Sequence, residues 1–162
     1  AVLPGYAGEH IYLGAVAIAA GLARSLKGKV ASLAEVAVTH GGAGRLHAVI
    51  SLNEPRPGAA RKAIFAVWGT VNLIKQVTVV EGDVDPWDAV AVEHAVANHM
   101  RPDRDLIVVP GVQADRAEPL EQGGVISKLG IDATRHNEDR ADWTPARPPA
   151  DVMERMRAKL KL

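Results

Sequence analysis

Histidine pairs are the first candidates for chemistry in this chain of 162 residues, which contains six histidines. His94 and His99 lie five positions apart in a segment with helical periodicity, and five residues rotate a helix by about 500°. The two imidazoles should therefore point to different faces, whereas helical metal sites place two ligands on one face. We predict that these histidines lie at the surface or at the edge of the core and bind no metal.

Acidic residues cluster between positions 81 and 88, in the sequence EGDVDPWD. A calcium-binding loop needs oxygen ligands at set positions and a closing glutamate, and this run does not match that pattern. A helix start explains these acids better, with Asp85 as the N-cap and Pro86 as the first helical residue. Asp88 is then an acid in the first turn, where the helix dipole favours negative charge.

Glycine, serine and cysteine offer no further catalytic site. Gly41, Gly42 and Gly44 lead into a second strand, whereas a dinucleotide fingerprint leads from a strand into a helix. They are typical of a hairpin turn. No serine lies in a nucleophile elbow, and the absence of cysteine excludes thiolate ligands, disulfides and cysteine nucleophiles. The chain by itself therefore shows no complete catalytic set.

The elements that position these residues follow from hydrophobic periodicity. Helices are predicted at 9–28, 58–71 and 85–99 and in an amphipathic C-terminal segment with Val152, Met156 and Leu160, and strands are predicted at 30–38, 46–52, 76–80 and 106–109. The order of elements is a helix, two strands and then an alternation of strand, helix and strand. This order indicates an α/β fold with a mixed β-sheet that is flanked by helices and followed by a C-terminal amphipathic helix. We expect residues 1–162 to form a single domain.

The composition argues against several classes of protein. Apolar residues make up 48% and charged residues 23%, as in average soluble proteins. Basic and acidic residues balance at 19 each, which argues against a nucleic-acid partner and favours association with other subunits. The apolar stretch at 11–26 is too short and interrupted to span a membrane, and no basic region precedes it. We expect a cytoplasmic protein whose apolar, turn-like start is that of a longer protein or of a docking subunit.

Several stretches, in order, resemble the C-terminal domain of the UbiD-type decarboxylases, a family that uses prenylated FMN. Residues 8–14 (GEHIYLG) resemble the start of that domain, and residues 46–51 (LHAVIS) resemble its HAVVSI strand, which is followed by a helix start at 58–62 (GAARK). Residues 75–85 (KQVTVVEGDVD) resemble a strand and turn of the family, and residues 101–106 (RPDRDL) resemble the approach to the next strand. Residues 128–134 (KLGIDAT) resemble the signature K-L/M-G-I/L-D-A-T. The last stretch is the most specific of the set. Together they cover about residues 8–136.

The resemblance implies a reaction and a cofactor. UbiD-type enzymes interconvert aromatic or α,β-unsaturated acids and CO2 through prenylated FMN, assisted by a divalent metal (Mn or Mg) and K+. In the family the catalytic arginine, the acidic residues and the metal ligands lie in the N-terminal domain, and no segment here matches their motifs. The resemblance therefore implies a substrate-side domain or small subunit, inactive alone, whose cofactor is bound mainly by another domain or subunit.

The resemblance also implies which residues face the substrate, because the family's C-terminal domain borders the cofactor across a cleft that can open and close. The substrate-binding candidates at matching positions are His10, Ile11, Leu13, Leu129 and Ile131. Apolar walls suit an aromatic acid, and closure would exclude water. His10 could orient a ring substituent or a carboxylate, while core packing is the alternative for the four apolar residues. Lys128 and Asp132 are expected to form a structural charge pair or cap.

Three classes of function remain open from the sequence. The chain can be a substrate-side domain or subunit, a non-catalytic scaffold of such an enzyme, or a free nucleotide-binding α/β domain. Changing His10 or Leu129 should alter substrate turnover in the first case and not in the second. Met153, Met156 and Leu160 form an apolar strip that can pack on a neighbouring protomer or on the chain's own domain, and we expect an oligomer.

Overall fold

The computed structural model describes residues 8–136 and 148–160, with side chains described from residue 13 onward in the first range. The elements are α1 (Gly8–Leu26), β1 (Leu33–Val38), β2 (His47–Leu52), α2 (Ala59–Trp68), β3 (Gln76–Glu81), α3 (Ala89–His99), α4 (Pro102–Asp105), β4 (Leu106–Gln113), β5 (Val125–Ala133) and α5 (Ala150–Leu160). The α/β class, the flanking helices and the C-terminal helix are confirmed. Within the described ranges, every helix is too short or too polar to cross a bilayer.

The strands pair in the order β1-β2-β3-β5-β4. The central strands β2, β3 and β5 are parallel, and the outer strands β1 and β4 run antiparallel to their neighbours. The predicted β1–β2 hairpin and the mixed sheet are therefore confirmed. Strand β5 is the last strand in the chain, but it lies between β3 and β4. Because β2, β3 and β5 are parallel, all three begin at the same end of the sheet.

Helices cover the two faces of the sheet unequally. On one face α1 and α2 enclose the larger core, in which Leu22 of α1 and Ile64 of α2 pack with Ile50 of β2. On the other face α3 forms a smaller cluster, in which Val92 packs with Val49 of β2. Because β2 and β3 are covered on both sides, both of their faces are apolar, as is typical of parallel strands.

The start of α3 differs from the prediction. The helix begins at Ala89, and its N-cap is Asp88 rather than Asp85. The Asp88 carboxylate accepts hydrogen bonds from the backbone N–H groups of Val90 (2.9 Å) and Ala91 (3.1 Å), two donors that the first turn leaves without intrahelical acceptors. Asp85 instead accepts from the N–H of Trp87 in a separate turn. The prediction of Asp85 as the N-cap was therefore wrong, because the N-cap lies three residues later, at Asp88.

Strand β4 also runs further than predicted. The sequence predicted that Pro110 ends the strand, but β4 continues to Gln113. Its pairing with β5 shifts register between Val109 and Val112, so the strand bulges where the proline lacks a backbone donor. An edge strand tolerates this interruption because its outer side has no partner to lose.

Strand β5 was not predicted as a strand, because charged residues and a glycine interrupt its apolar pattern. Lys128 is buried, and its ammonium donates to the backbone carbonyl of Asn72 at 2.8 Å. The Asp132 carboxylate accepts from the backbone N–H and hydroxyl of Thr134, at 3.0 and 2.6 Å. Both charged residues therefore have structural hydrogen bonds, and Asp132 caps the turn that follows β5.

Candidate functional site

Four segments meet at the end of the sheet where the parallel strands begin, here called the N-terminal edge: the first turns of α1, the β1–β2 turn, the start of β3 and the β4–β5 loop. A Cβ on Gly14 of α1 would lie 3.6 Å from Nε of Arg45 in the turn. The carbonyl of Leu46 accepts from the N–H of Lys75 at 3.0 Å, and the carbonyl of Lys75 accepts from the N–H of Leu129 at 2.8 Å. This chain of contacts brings α1 and the middle of β5 to one edge.

Buried charges hold the loop at this edge. The Lys75 ammonium donates to the Glu118 carboxylate at 2.8 Å, and the Glu118 side chain is only 2% exposed. The same carboxylate oxygen accepts from the N–H of Leu120 at 3.2 Å. Nearby, burial lowers the pKa of the Lys128 ammonium, an effect that the carboxylate of Asp115 opposes. Since breaking a buried pair leaves an uncompensated charge, these contacts keep the loop in place over the strand starts.

A cavity of about 570 Å³ opens beside the N-terminal edge, between α3 and the sheet. Its floor is one row of the sheet, Val49–Thr78–Ile131, which are register partners on adjacent strands. Val92 and Val96 of α3 form part of its wall. An apolar cavity of this volume with few polar groups is typical of a small-molecule site.

His47 supplies a fixed polar group in this cavity. Its Nδ1 lies 3.2 Å from the hydroxyl of Thr39, and its Nε2 lies 3.0 Å from the hydroxyl of Thr78. Burial lowers the pKa of His47, so the imidazole is neutral at pH 7. A neutral imidazole has one donor and one acceptor, so one threonine hydroxyl donates to the ring and the other accepts from it.

We expect mild acid to destabilise the fold through His47. The unfolded chain protonates this residue near pH 6.5, and the folded state binds the proton less tightly. Stability therefore rises with pH between the folded and unfolded pKa values and is lost as the pH falls through that window. Thermal melts at pH 5 and pH 8 should show a smaller acid-induced fall in Tm for His47→Gln than for the unmodified chain. The exposed His94→Gln is the control, and equal falls in both variants would contradict the assignment.

The five predicted substrate-binding residues are placed as follows. Ile131 lies in the cavity floor. Leu129, two positions earlier on β5, shares the same face of the sheet and is partly buried. Leu13 is 73% exposed on α1, which packs on the opposite face of the sheet. His10 and Ile11 lie in α1, but their side chains are outside the described residues. Leu129 and Ile131 thus come together, and the substrate-binding role of all five stays a prediction.

Sequence reasoning missed the hydrogen-bonded group of Thr39, His47 and Thr78. Spacing along one helix tests only His94 and His99, whereas these three residues lie on two neighbouring strands and a turn. A usable signal was present, because Thr78 is a polar residue in the centre of the apolar run QVTVV. A polar group inside a buried strand needs a hydrogen-bonding partner, which could have directed attention to His47 on the preceding strand.

Metal ligands are not grouped in the described parts of the chain. Across residues 8–136 and 148–160, no three His, Asp or Glu side chains come together in a way that could hold a metal ion. His99 is buried and His94 is exposed, so their placement on different helix faces is confirmed. His40, His47 and Glu93 line the cavity, but they form no such group, and the His47 imidazole is already bonded to two hydroxyls. These donors do not fit the divalent metal expected beside prenylated FMN.

Comparison with known families decides the relationship. The family profile for the 3-octaprenyl-4-hydroxybenzoate carboxy-lyase C-terminal domain matches residues 11–133. The chain belongs to the UbiD family. A structure of the UbiD-class enzyme HmfF from Pelotomaculum thermopropionicum, in complex with FMN, superimposes with a TM-score of 0.81 at 34% identity, over 89% of this chain and 33% of HmfF.

Two further relatives are also decarboxylases, and this chain again matches about a third of their length. Anhydromevalonate phosphate decarboxylase from Aeropyrum pernix is 31% identical over 127 residues, which are 78% of this chain and 29% of that enzyme. Vanillic acid decarboxylase from Sedimentibacter hydroxybenzoicus, in its closed form, has a TM-score of 0.79 at 26% identity over 94% of this chain and 33% of that one. The chain is thus a UbiD-class C-terminal domain that spans about a third of these decarboxylases.

Proposed function

We propose that this chain is the substrate-side domain or small subunit of a reversible (de)carboxylase. The substrate class is an aromatic or α,β-unsaturated carboxylic acid, and prenylated FMN is held by a separate N-terminal domain or a larger subunit. Residues 1–162 form one domain in this proposal. The proposal is supported by UbiD relatives that are decarboxylases and by structural neighbours that contain FMN or prenylated FMN.

The observation that carries the proposal is the meeting of α1, Leu129 and the apolar cavity at the N-terminal edge. Leu13 and Leu120 are both largely exposed at this edge. Burial of such side chains against another domain is favourable, at about 25 cal/mol per Å². The edge therefore suits a cleft wall that a cofactor-bearing partner completes.

This chain would contribute position and exclusion of water rather than acid–base chemistry. Leu129 and Ile131 would flank the ring or double bond of the acid, and the loop held by Glu118 would limit access of water to the cleft. His47 is neutral and bonded on both nitrogens, so it would hold the hydroxyls of Thr39 and Thr78 in fixed positions. These hydroxyls would then orient polar substituents of the acid. The flavin, when bound by the partner domain, supplies the electron sink for loss of CO2.

A native pull-down of this chain tests the proposal, followed by intact mass, an absorbance spectrum and a decarboxylation assay. We expect a larger flavin-bearing polypeptide, joined to this chain or associated with it, that releases CO2 only when this chain is present. A colourless chain that elutes alone would contradict the enzyme role. A partner that is equally active without this chain would favour the scaffold role instead.

A specific observation also supports an assembly role for α5. None of its residues is buried, and Met153, Met156 and Leu160 are exposed along it. An apolar strip of this kind is typical of a helix that packs on another protomer. If α5 serves only assembly, its removal would dissociate the oligomer in light scattering while each remaining site keeps its turnover.

A further inference from the structure

The charge of the cavity between α3 and the sheet restricts what it can hold. The described residues that line it include neither lysine nor arginine, and they include the carboxylate of Glu93. Burial lowers the pKa of His47, which is therefore neutral, and His40 is exposed, so that water screens any charge on it. A carboxylate brought into this cavity would lose its hydration without meeting an opposite charge, and that loss is costly.

Two lysines at the N-terminal edge point away from this cavity. Gln76 of β3 and Ile131 of β5 line it. Lys75 lies one position before Gln76, and Lys128 lies three positions before Ile131, so alternation along the strands turns both ammonium groups from the cavity. The Lys75 ammonium pairs with Glu118, and the Lys128 ammonium donates to a backbone carbonyl. Both cations are thus engaged elsewhere.

Thr78 offers hydrogen-bonding capacity in the floor of the cavity. The residue is only 2% exposed, and among the described residues its hydroxyl bonds to Nε2 of His47 alone, at 3.0 Å. If this hydroxyl accepts from His47, its own proton is free, and if it donates, its lone pairs are free. A hydroxyl on a ligand both donates and accepts, so it fits either case. Thr39 has less to offer, because it also accepts from the backbone N–H of Gly42.

The remaining lining suits a flat apolar group. The Trp87 indole N–H donates to the Glu35 carboxylate at 3.0 Å, which holds the ring beside the cavity. Burial of a ring or an alkene against such walls is favourable in proportion to the apolar area removed from water. The apolar side chains that complete the lining are Val49, Pro86, Val92, Val96 and Ile131.

We infer that this cavity holds the uncharged end of the acid, a ring or alkenyl group whose hydroxyl bonds to Thr78, and that the carboxylate points out of the cavity toward the cofactor-bearing partner. The inference rests on the proposed function and adds an orientation to it. It also adds a preference, because a site built to bond a hydroxyl discriminates against the analogue that lacks one. Acids with a second charged group at the buried end are rejected.

Three small probes test this orientation on the isotope-labelled full chain, mixed with any unlabelled subunit that associates with it. Phenol, 4-hydroxybenzoate and benzoate separate the effect of the hydroxyl from that of the carboxylate. The indole N–H signal of Trp87 in proton–nitrogen correlation spectra reports on the cavity, and its loss in Trp87→Phe identifies it. Trp68 of α2, on the other face of the sheet, is the internal reference.

We expect saturable shifts of the Trp87 signal, with affinities for phenol and 4-hydroxybenzoate within about threefold of each other. Benzoate should bind about fivefold more weakly than 4-hydroxybenzoate, because it lacks the hydrogen bond to Thr78. Thr78→Ser keeps a hydroxyl and should keep this preference, whereas Thr78→Val should remove it. The Tm of each variant checks folding, and the order of the three probes on the unmodified chain decides the matter if Thr78→Val does not fold.

Equal affinity for benzoate and 4-hydroxybenzoate, or probe shifts that leave the Trp87 signal unchanged, would overturn the inference. These readings need no turnover, so the inference and the proposed function fail separately. Release of CO2 by the complete enzyme with no probe effect at Trp87 would overturn only the inference. The expected order of probes in a chain that never supports CO2 release would support the inference about the cavity and overturn only the decarboxylase role.

Discussion

The substitution Gly130→Val is expected to lower the free energy of unfolding by about 3 kcal/mol. A Cβ at this position would lie 2.8 Å from Cγ2 and 3.1 Å from Cδ1 of Ile64, and 3.4 Å from Cη2 of Trp68. Strand β5 is paired on both sides, so its backbone cannot move away from α2 without loss of ladder hydrogen bonds. The strain should therefore appear as lost stability, measured by urea denaturation.

A double-mutant cycle identifies the cause of this loss. Ile64 is fully buried, and Ile64→Ala alone should cost about 2–5 kcal/mol. If the added side chain occupies the space left by Ile64, the double variant loses less than the sum of the two single losses. Strict additivity would contradict the steric explanation. Gly21→Ala is the control, since its Cβ meets nothing within 4 Å in α1, and it should stabilise by about 0.5–1 kcal/mol.

Gly130 also explains why β5 could not be predicted from local pattern. A glycine weakens a strand locally, and the buried Lys128 breaks the apolar alternation. What makes the segment a strand is non-local, because α2 approaches so closely that only glycine fits at position 130. The stretch was noted through its resemblance to a family signature, which marks identity without stating the conformation.

The parts of the fold with strong local patterns were predictable. The apolar runs of β2 and β3 were assigned within one residue of their bounds. At the start of α3 two aspartates three residues apart both qualify as N-caps, and Pro86 favoured the earlier one. The competition is decided by which carboxylate reaches two free N–H groups, and Asp88 does. The distance from each carboxylate to these N–H groups depends on the conformation of the folded turn, which the local sequence does not specify.

The candidate site also has one part that follows from local sequence and one part that does not. Leu129 and Ile131 are two positions apart, so their shared face follows from strand geometry once β5 is known. Thr39, His47 and Thr78 are separated by 8 and 31 residues, and only the register between β2 and β3 brings them together. Strand register is a property of the whole sheet, and so this polar group could be found only in the structure.

The second large effect is expected at the N-terminal edge. In the complete enzyme, Leu13→Asp should lower kcat/KM for the acid by about 100-fold, which is about 2.7 kcal/mol of transition-state stabilisation. The substitution places a charge on an apolar surface that the proposal buries against the cofactor-bearing partner, where an unpaired charge is costly. Because Leu13 is 73% exposed in this chain, the Tm of the chain itself should not change.

Val90→Asp is the matched control for Leu13→Asp. Val90 is 75% exposed, does not line the cavity, and lies in the first turn of α3, which covers the face of the sheet opposite α1. An added acid in this turn suits the helix dipole. This variant should keep kcat/KM within about twofold. Leu13→Met keeps the apolar surface and should retain activity. If Leu13→Asp turns over substrate as fast as Val90→Asp, the N-terminal edge does not face the reaction, and the substrate-side role of this domain is lost with it.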